Sequence, residues 1–140
     1  MPSGFSELEG ITADAGIEAW GDTLEDAFTG AAEGLASLLA DLPESSLKES
    51  TQVIFTGENL SSLLVGFLNE LVFLVEARDL IPGKIKRLWI NGNNLFAIVR
   101  CAKSDSVDPS EISHVKAATY HGLEIDRGGD LVRIKVIFDI

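Results

Sequence analysis

Residues 84–100 read KIKRLWINGNNLFAIVR, and this stretch decides the class of fold. Ile85, Leu88 and Ile90 lead into Asn91-Gly92-Asn93-Asn94, and Leu95, Ala97 and Val99 lead away from it. Alternation sends successive side chains to opposite faces of a strand, and Asn-Gly tolerates the positive φ that a tight hairpin turn demands. An antiparallel hairpin is therefore predicted. A second one follows, Val115 to Ile125 against Leu131 to Phe138, around Arg127-Gly128-Gly129-Asp130. The polar segment Ser104 to Ser113, with Pro109, reads as the loop between them.

Upstream of the first hairpin, beyond Pro82-Gly83, the period changes. Leu60, Leu63, Leu64, Phe67, Leu68, Leu71, Val72 and Val75 fall three or four apart behind Asn59, a good helix cap. This apolar face is broad enough to predict burial on more than one side. Leu24, Phe28, Ala31, Leu35 and Leu38 repeat the pattern, giving a first helix over Thr23 to Asp41, capped by Thr23 with Asp26 and stopped by Pro43. Gly30 and Gly34 inside it each cost about 1 kcal/mol relative to alanine, which predicts that the helix is pressed closely onto a sheet. Ser50 to Thr56, closed by Gly57, reads as a strand. Phe5 to Leu8 and Gly16 to Trp20 read as two more, with Glu9 to Asp14 as a surface loop. The mixture predicts an α+β fold, one domain over residues 1–140, in which a mostly antiparallel or mixed sheet packs with two helices. The strand order stays open.

A chain of 140 residues can bury a single substantial core. Its 22 acidic and 11 basic residues leave a formal charge of -11, which repels phosphate backbones and anionic lipid. Direct nucleic-acid binding and membrane association are therefore not expected, and a basic protein partner or a cation suits the charge better. Cys101 is the sole cysteine, so an internal disulfide and a cysteine-based zinc site are excluded. It lies in an alternating run and is expected to be packed and inert. The apolar segment Leu60 to Leu80 is interrupted by Asn69, Glu70 and Glu76, and Met1-Pro2-Ser3-Gly4 is unlike a signal peptide. Both features predict a cytoplasmic protein.

Common catalytic patterns are missing. Phe28 to Gly34 contains two glycines but no Gly-Lys-Ser/Thr ending, and no Gly-x-Ser-x-Gly elbow occurs. His114 and His121 differ in strand parity, which disfavours a shared two-histidine metal site on one strand. The ending, Val136-Ile137-Phe138-Asp139-Ile140, is more informative, because an apolar strand running to the last residue fixes the terminal carboxylate beside Asp139. Adjacent carboxylates repel, and a hard divalent cation relieves them. Asp14, in the Thr12-Ala13-Asp14 turn, is the candidate third oxygen donor. Calcium, magnesium or manganese would suit that set.

Four segments together resemble the archease family: EGITADAGIEAWG at residues 9–21, Leu24 to Leu39, LLVGFLNELVFL at residues 63–74, and the close, KAATYHGLEI with VIFDI. The resemblance runs essentially end to end. It implies an accessory protein without catalytic residues of its own, which activates an RtcB-type tRNA ligase in tRNA splicing and RNA repair by promoting its guanylylation and repeated turnover. It also implies a metal site at Asp14, Asp139 and the carboxylate of Ile140, and a role for Lys116 in activation. His121 is a further candidate, as an auxiliary residue. One position departs from the pattern: Ile11 stands where the resembling proteins usually carry histidine. Two other readings are a metal-dependent phosphoester hydrolase using Asp14, Asp139 and His121, and a chaperone-like protein-binding module using exposed apolar surface of the second helix.

Overall fold

The computed structural model describes residues 3–8 and 14–140. Seven strands and two helices follow in the order β1 (Ser3–Glu7), β2 (Asp14–Gly21), α1 (Leu24–Leu39), β3 (Glu49–Thr56), α2 (Leu60–Arg78), β4 (Leu80–Asn91), β5 (Asn94–Lys103), β6 (Ala117–Asp126) and β7 (Val132–Asp139). The strands divide into two sheets instead of one, ordered β1-β2-β7-β6 and β3-β5-β4, and every pairing is antiparallel. The α+β class stands.

The helices fill the space between the sheets. α1 packs on β1, β2 and β7 of the first sheet and on β4 of the second, whereas α2 packs on β6 of the first and on β3, β4 and β5 of the second. Each sheet accordingly turns an apolar face to the helices. Ile17, Ala19, Ile134, Val136 and Phe138 point inward from the first; Val53, Leu95, Ala97, Val99 and Cys101 point inward from the second. Leu63, Leu64, Phe67, Leu68 and Leu71 of α2 are fully enclosed, so the breadth of its apolar face is explained by contact with two sheets. By length and composition α2 would suffice to cross a membrane, despite its three polar interruptions. In the fold that apolarity serves the core.

Local chemistry sets the element ends. The Thr23 side chain accepts from the Asp26 N–H (3.1 Å), and α1 stops at Leu39, two residues before the predicted Asp41. The stop agrees with the extended backbone favoured just before a proline such as Pro43. Asn59 and Ser62 form a reciprocal capping box at the start of α2. The β4–β5 hairpin turns through Gly92 and Asn93, one residue beyond the Asn91-Gly92 pair, with Asn91 closing the ladder against Asn94 and Gly92 alone of the two turn residues at positive φ (62°). β4 begins at Leu80 and so includes Pro82 and Gly83, which the sequence reading placed outside the strand. Proline is tolerated there because β4 is an edge strand with a register shift between Pro82 and Lys84.

Candidate functional site

The end of the first sheet gathers most of the nominated residues. β7 runs to Asp139 and lies between β2 and β6, so Asp139 has a cross-strand neighbour on each side, Asp14 on β2 and Ala117 on β6. Asp14 is the first residue of β2 and not part of the preceding loop. Directly opposed residues on antiparallel strands present their side chains to the same face. Ile17, Val136 and Phe138 mark the helix-facing side, so Asp14 and Asp139 share the face turned away from the helices. Asp14 is half-buried and Asp139 exposed. Ile140 follows directly and is 48% exposed.

The charge pattern on that open face sets this pair apart. Moving along β7, Lys135 lies between Glu18 and Glu124, and its ammonium is 3.9 Å from the Glu124 carboxylate. Arg133 lies between Trp20 and Asp126. Both basic residues of β7 thus have an acid across from them. In the last row Asp139 faces Asp14 with Ala117 on its other side, and among the described residues neither acid enters an ion pair. Like charges directly opposed are destabilising. The donor set, two side-chain carboxylates with a terminal carboxylate adjacent, is all oxygen and anionic, which fits calcium, magnesium or manganese and does not fit a soft metal. Among the described residues, no three histidine, cysteine, aspartate or glutamate side chains converge.

Lys116 lies one residue before β6, exposed, and its backbone N–H donates to the Asp139 carbonyl at 2.8 Å. That bond ties it to the same strand end. His121 is exposed on β6, four residues beyond Ala117, which is roughly 13 Å along an extended strand. It is not brought to the two aspartates. His114 precedes β6 and lies outside any strand, so the parity argument does not apply to it. Ile11, Thr12 and Ala13 lie outside the described residues. Cys101 is enclosed, and burial pushes its thiol up to about 11, with Arg78 opposing and Glu49 reinforcing the shift. A thiol held protonated in this way is a packing group, as expected.

One contributor escaped the sequence reading. Asn69, read only as an interruption of the apolar stretch, accepts from the Ala118 N–H at 2.7 Å and donates to the Ala118 carbonyl at 3.4 Å. It clips the outer edge of β6 next to Ala117. Its signal was a lone amide among the apolar residues of α2.

A family model described as the Archease protein family (MTH1598/TM1083) matches residues 5–140. The chain belongs to the archease family. Archeases of Pyrococcus furiosus and Aeropyrum pernix are 34% and 31% identical to it, covering 83% and 92% of this chain and 84% and 92% of their own. The archease of Methanosarcina acetivorans is 30% identical over the full length of both. The archease fold is also seen in the solution structure of Methanobacterium thermoautotrophicum protein 1598, with a TM-score of 0.74, 27% identity and 99% coverage of both chains. A crystal structure from Thermotoga maritima, described as an archease and possible chaperone, gives a TM-score of 0.65 and 25% identity over 96% of this chain and 97% of that one.

Proposed function

We propose that this archease activates an RtcB-type RNA ligase, promoting its guanylylation and repeated turnover in tRNA splicing and RNA repair, and is not itself an enzyme. In this reading Asp14, Asp139 and the terminal carboxylate of Ile140 hold a divalent cation at the end that docks on the ligase. The supporting observation is the Asp14–Asp139 row, in which two acids are opposed and, among the described residues, neither is paired with a base. A bound cation would neutralise these carboxylates and present positive charge to an anionic group. The chain's own residues do the rest. β2 and β7 hold the aspartates in register, the bond from the Lys116 N–H keeps the strand end from fraying, and the Lys116 ammonium supplies a donor for a phosphate or carboxylate of the partner. The acidic surface favours encounter with a basic active-site mouth.

The test is ligase guanylylation with GTP, with and without this protein. Asp14→Ala and Asp139→Asn are expected to abolish stimulation while circular dichroism shows a folded chain; full stimulation by either folded variant defeats the proposal. A hydrolase using Asp14, Asp139 and His121 draws no support, since His121 lies apart from the aspartates. A chaperone-like binding role is the second reading, favoured by the exposure of Ile54 (64%), Tyr120 (59%) and Phe73 (56%). It predicts suppressed aggregation of unrelated unfolding clients, lost when these three are made polar.

A further inference from the structure

The net charge conceals an uneven distribution. Leu80 to Lys103, the whole of β4 and β5, contains five of the eleven basic residues and none of the 22 acidic ones. Because Leu95, Ala97, Val99 and Cys101 face the helices, register assigns the opposite face to three rows across β3, β5 and β4. These are Ile54–Phe96–Trp89, Gln52–Ile98–Arg87 and Ser50–Arg100–Lys84. The outer face therefore grades from aromatic and aliphatic to basic.

Its side chains are not spoken for in the same degree. Arg100 is occupied, bonding Glu44 at 2.8 Å and the Leu47 carbonyl at 3.3 Å. Lys84, Lys86 in the bulge and Arg87 are exposed, and among the described residues none of the three enters an ion pair. The Trp89 and Phe96 rings lie 5.1 Å apart at 52°, and the Arg87 guanidinium sits 5.5 Å from the centre of the Trp89 ring. Trp89 nonetheless remains 44% exposed, and Ile54 64%.

A partner for this face must be anionic and must offer flat apolar surface. A second copy of the chain fits poorly, since apposing two such faces brings like charges together. An acidic peptide needs pockets for its anchoring side chains. The clefts lined by Leu47 and Lys84 and by Phe55 and Tyr120 open at the sheet edges, and Trp89, Phe96 and Ile98 line neither. An open sheet face bearing aromatic rings, a stacked guanidinium and free lysines matches the way single strands are held, with bases against rings and phosphates on cations. The acids of the opposite sheet do not forbid this. A helix layer intervenes, about 20 Å in all, which exceeds the screening length of about 8 Å at physiological salt. Two nearer acids, Glu33 bonded to the Ile85 N–H and Glu44 bonded to Arg100, lie at the Lys84 end of the face and not in the Trp89–Phe96 row.

We propose that the outer face of β3, β5 and β4 binds a single strand of RNA, with phosphates on Lys84, Lys86 and Arg87 and bases against Trp89 and Phe96. The choice of RNA over DNA rests on the ligase-activator reading. The test is fluorescence anisotropy of a labelled oligouridylate of about 12 nucleotides with the full chain and no ligase, between about 50 and about 200 mM salt. Binding is expected to weaken with salt with a log–log slope near -2, the value for about three phosphates at roughly 0.7 each. Arg87→Glu combined with Lys84→Glu is expected to lower affinity at least about tenfold, and Trp89→Leu about tenfold. Arg87→Ala should give a smaller loss, and melting curves establish that each variant is folded. Lys135→Glu, on the other sheet, is expected to leave affinity unchanged. The proposal is overturned by absence of binding at the lowest salt, by an equal loss in Lys135→Glu, or by tighter binding of the matching deoxyoligonucleotide. A polyglutamate peptide that binds where the RNA does not also overturns it, in favour of an acidic protein segment. With no ligase in the assay, this result and the guanylylation result are read separately.

Discussion

Gly30 of α1 lies where the helix meets the carbonyl of Gly4 on β1 and the methyl of Ala19 on β2, and a Cβ added there would collide with the Gly4 oxygen. One turn on, a Cβ at Gly34 would come within 2.7 Å of the Ile17 Cγ2. The two differ in what stands opposite: backbone held in a sheet for Gly30, a side chain with some rotamer freedom for Gly34. Alanine would improve helix propensity at either site by about 1 kcal/mol, and overpacking costs about 1–3 kcal/mol. Gly30→Ala is therefore expected to destabilise by about 1–2 kcal/mol and Gly34→Ala by less, measured as shifts in the urea midpoint. A gain in stability for Gly30→Ala would show that the helix moves off β1 freely. The sequence signalled this approach because two glycines in an otherwise strong helix require a reason. It gave no indication of which strands were approached.

Asn69 shows how an element can be held by one side chain. β6 is an edge strand, its register with β7 shifts between Thr119 and Glu124, and Gly122 within that shift takes φ 67°. The Asn69 amide pairs with both backbone groups of Ala118 just before the irregular stretch, doing there what a further strand would do. Asn69→Leu would leave a part-buried N–H and carbonyl without partners, a loss of about 1–3 kcal/mol. The expected local sign is faster amide exchange at Ala118 than at Val136 of the neighbouring strand; equal protection would mean that the clip is dispensable. At this scale the elements themselves were readable, since strong periodicity and turn residues such as Gly92 act within a few positions. Two features were not. Pro82 and Gly83 look like a break until β4 is known to be an edge strand, and the division into two sheets depends on pairings between distant segments that no local pattern encodes. Asp14 and Asp139 were nominated from chemistry, and their opposition is a matter of register that only the assembled sheet supplies.

The molecule as a whole is a helix layer between two sheets whose outer faces carry different chemistry. One ends in the paired aspartates, and the other carries the acid-free hairpin and its aromatic row. Total charge, the quantity most easily taken from a sequence, averages over this division and argues against RNA for the molecule as a whole, whereas the proposed strand-binding surface is a single face. The separation has a consequence for function. Substitutions at sites that share no partners and lie well apart usually act independently, and here the core of α1 and α2 stands between the faces. Asp139→Asn is thus expected to abolish ligase stimulation while leaving oligouridylate affinity unchanged. Arg87→Glu is expected to weaken oligouridylate binding and to leave stimulation unchanged when guanylylation is measured without RNA. The double variant should show the two losses side by side, without reinforcement. If instead Arg87→Glu also removed stimulation of guanylylation, both faces would have to touch the ligase, and the basic sheet would be part of its docking surface.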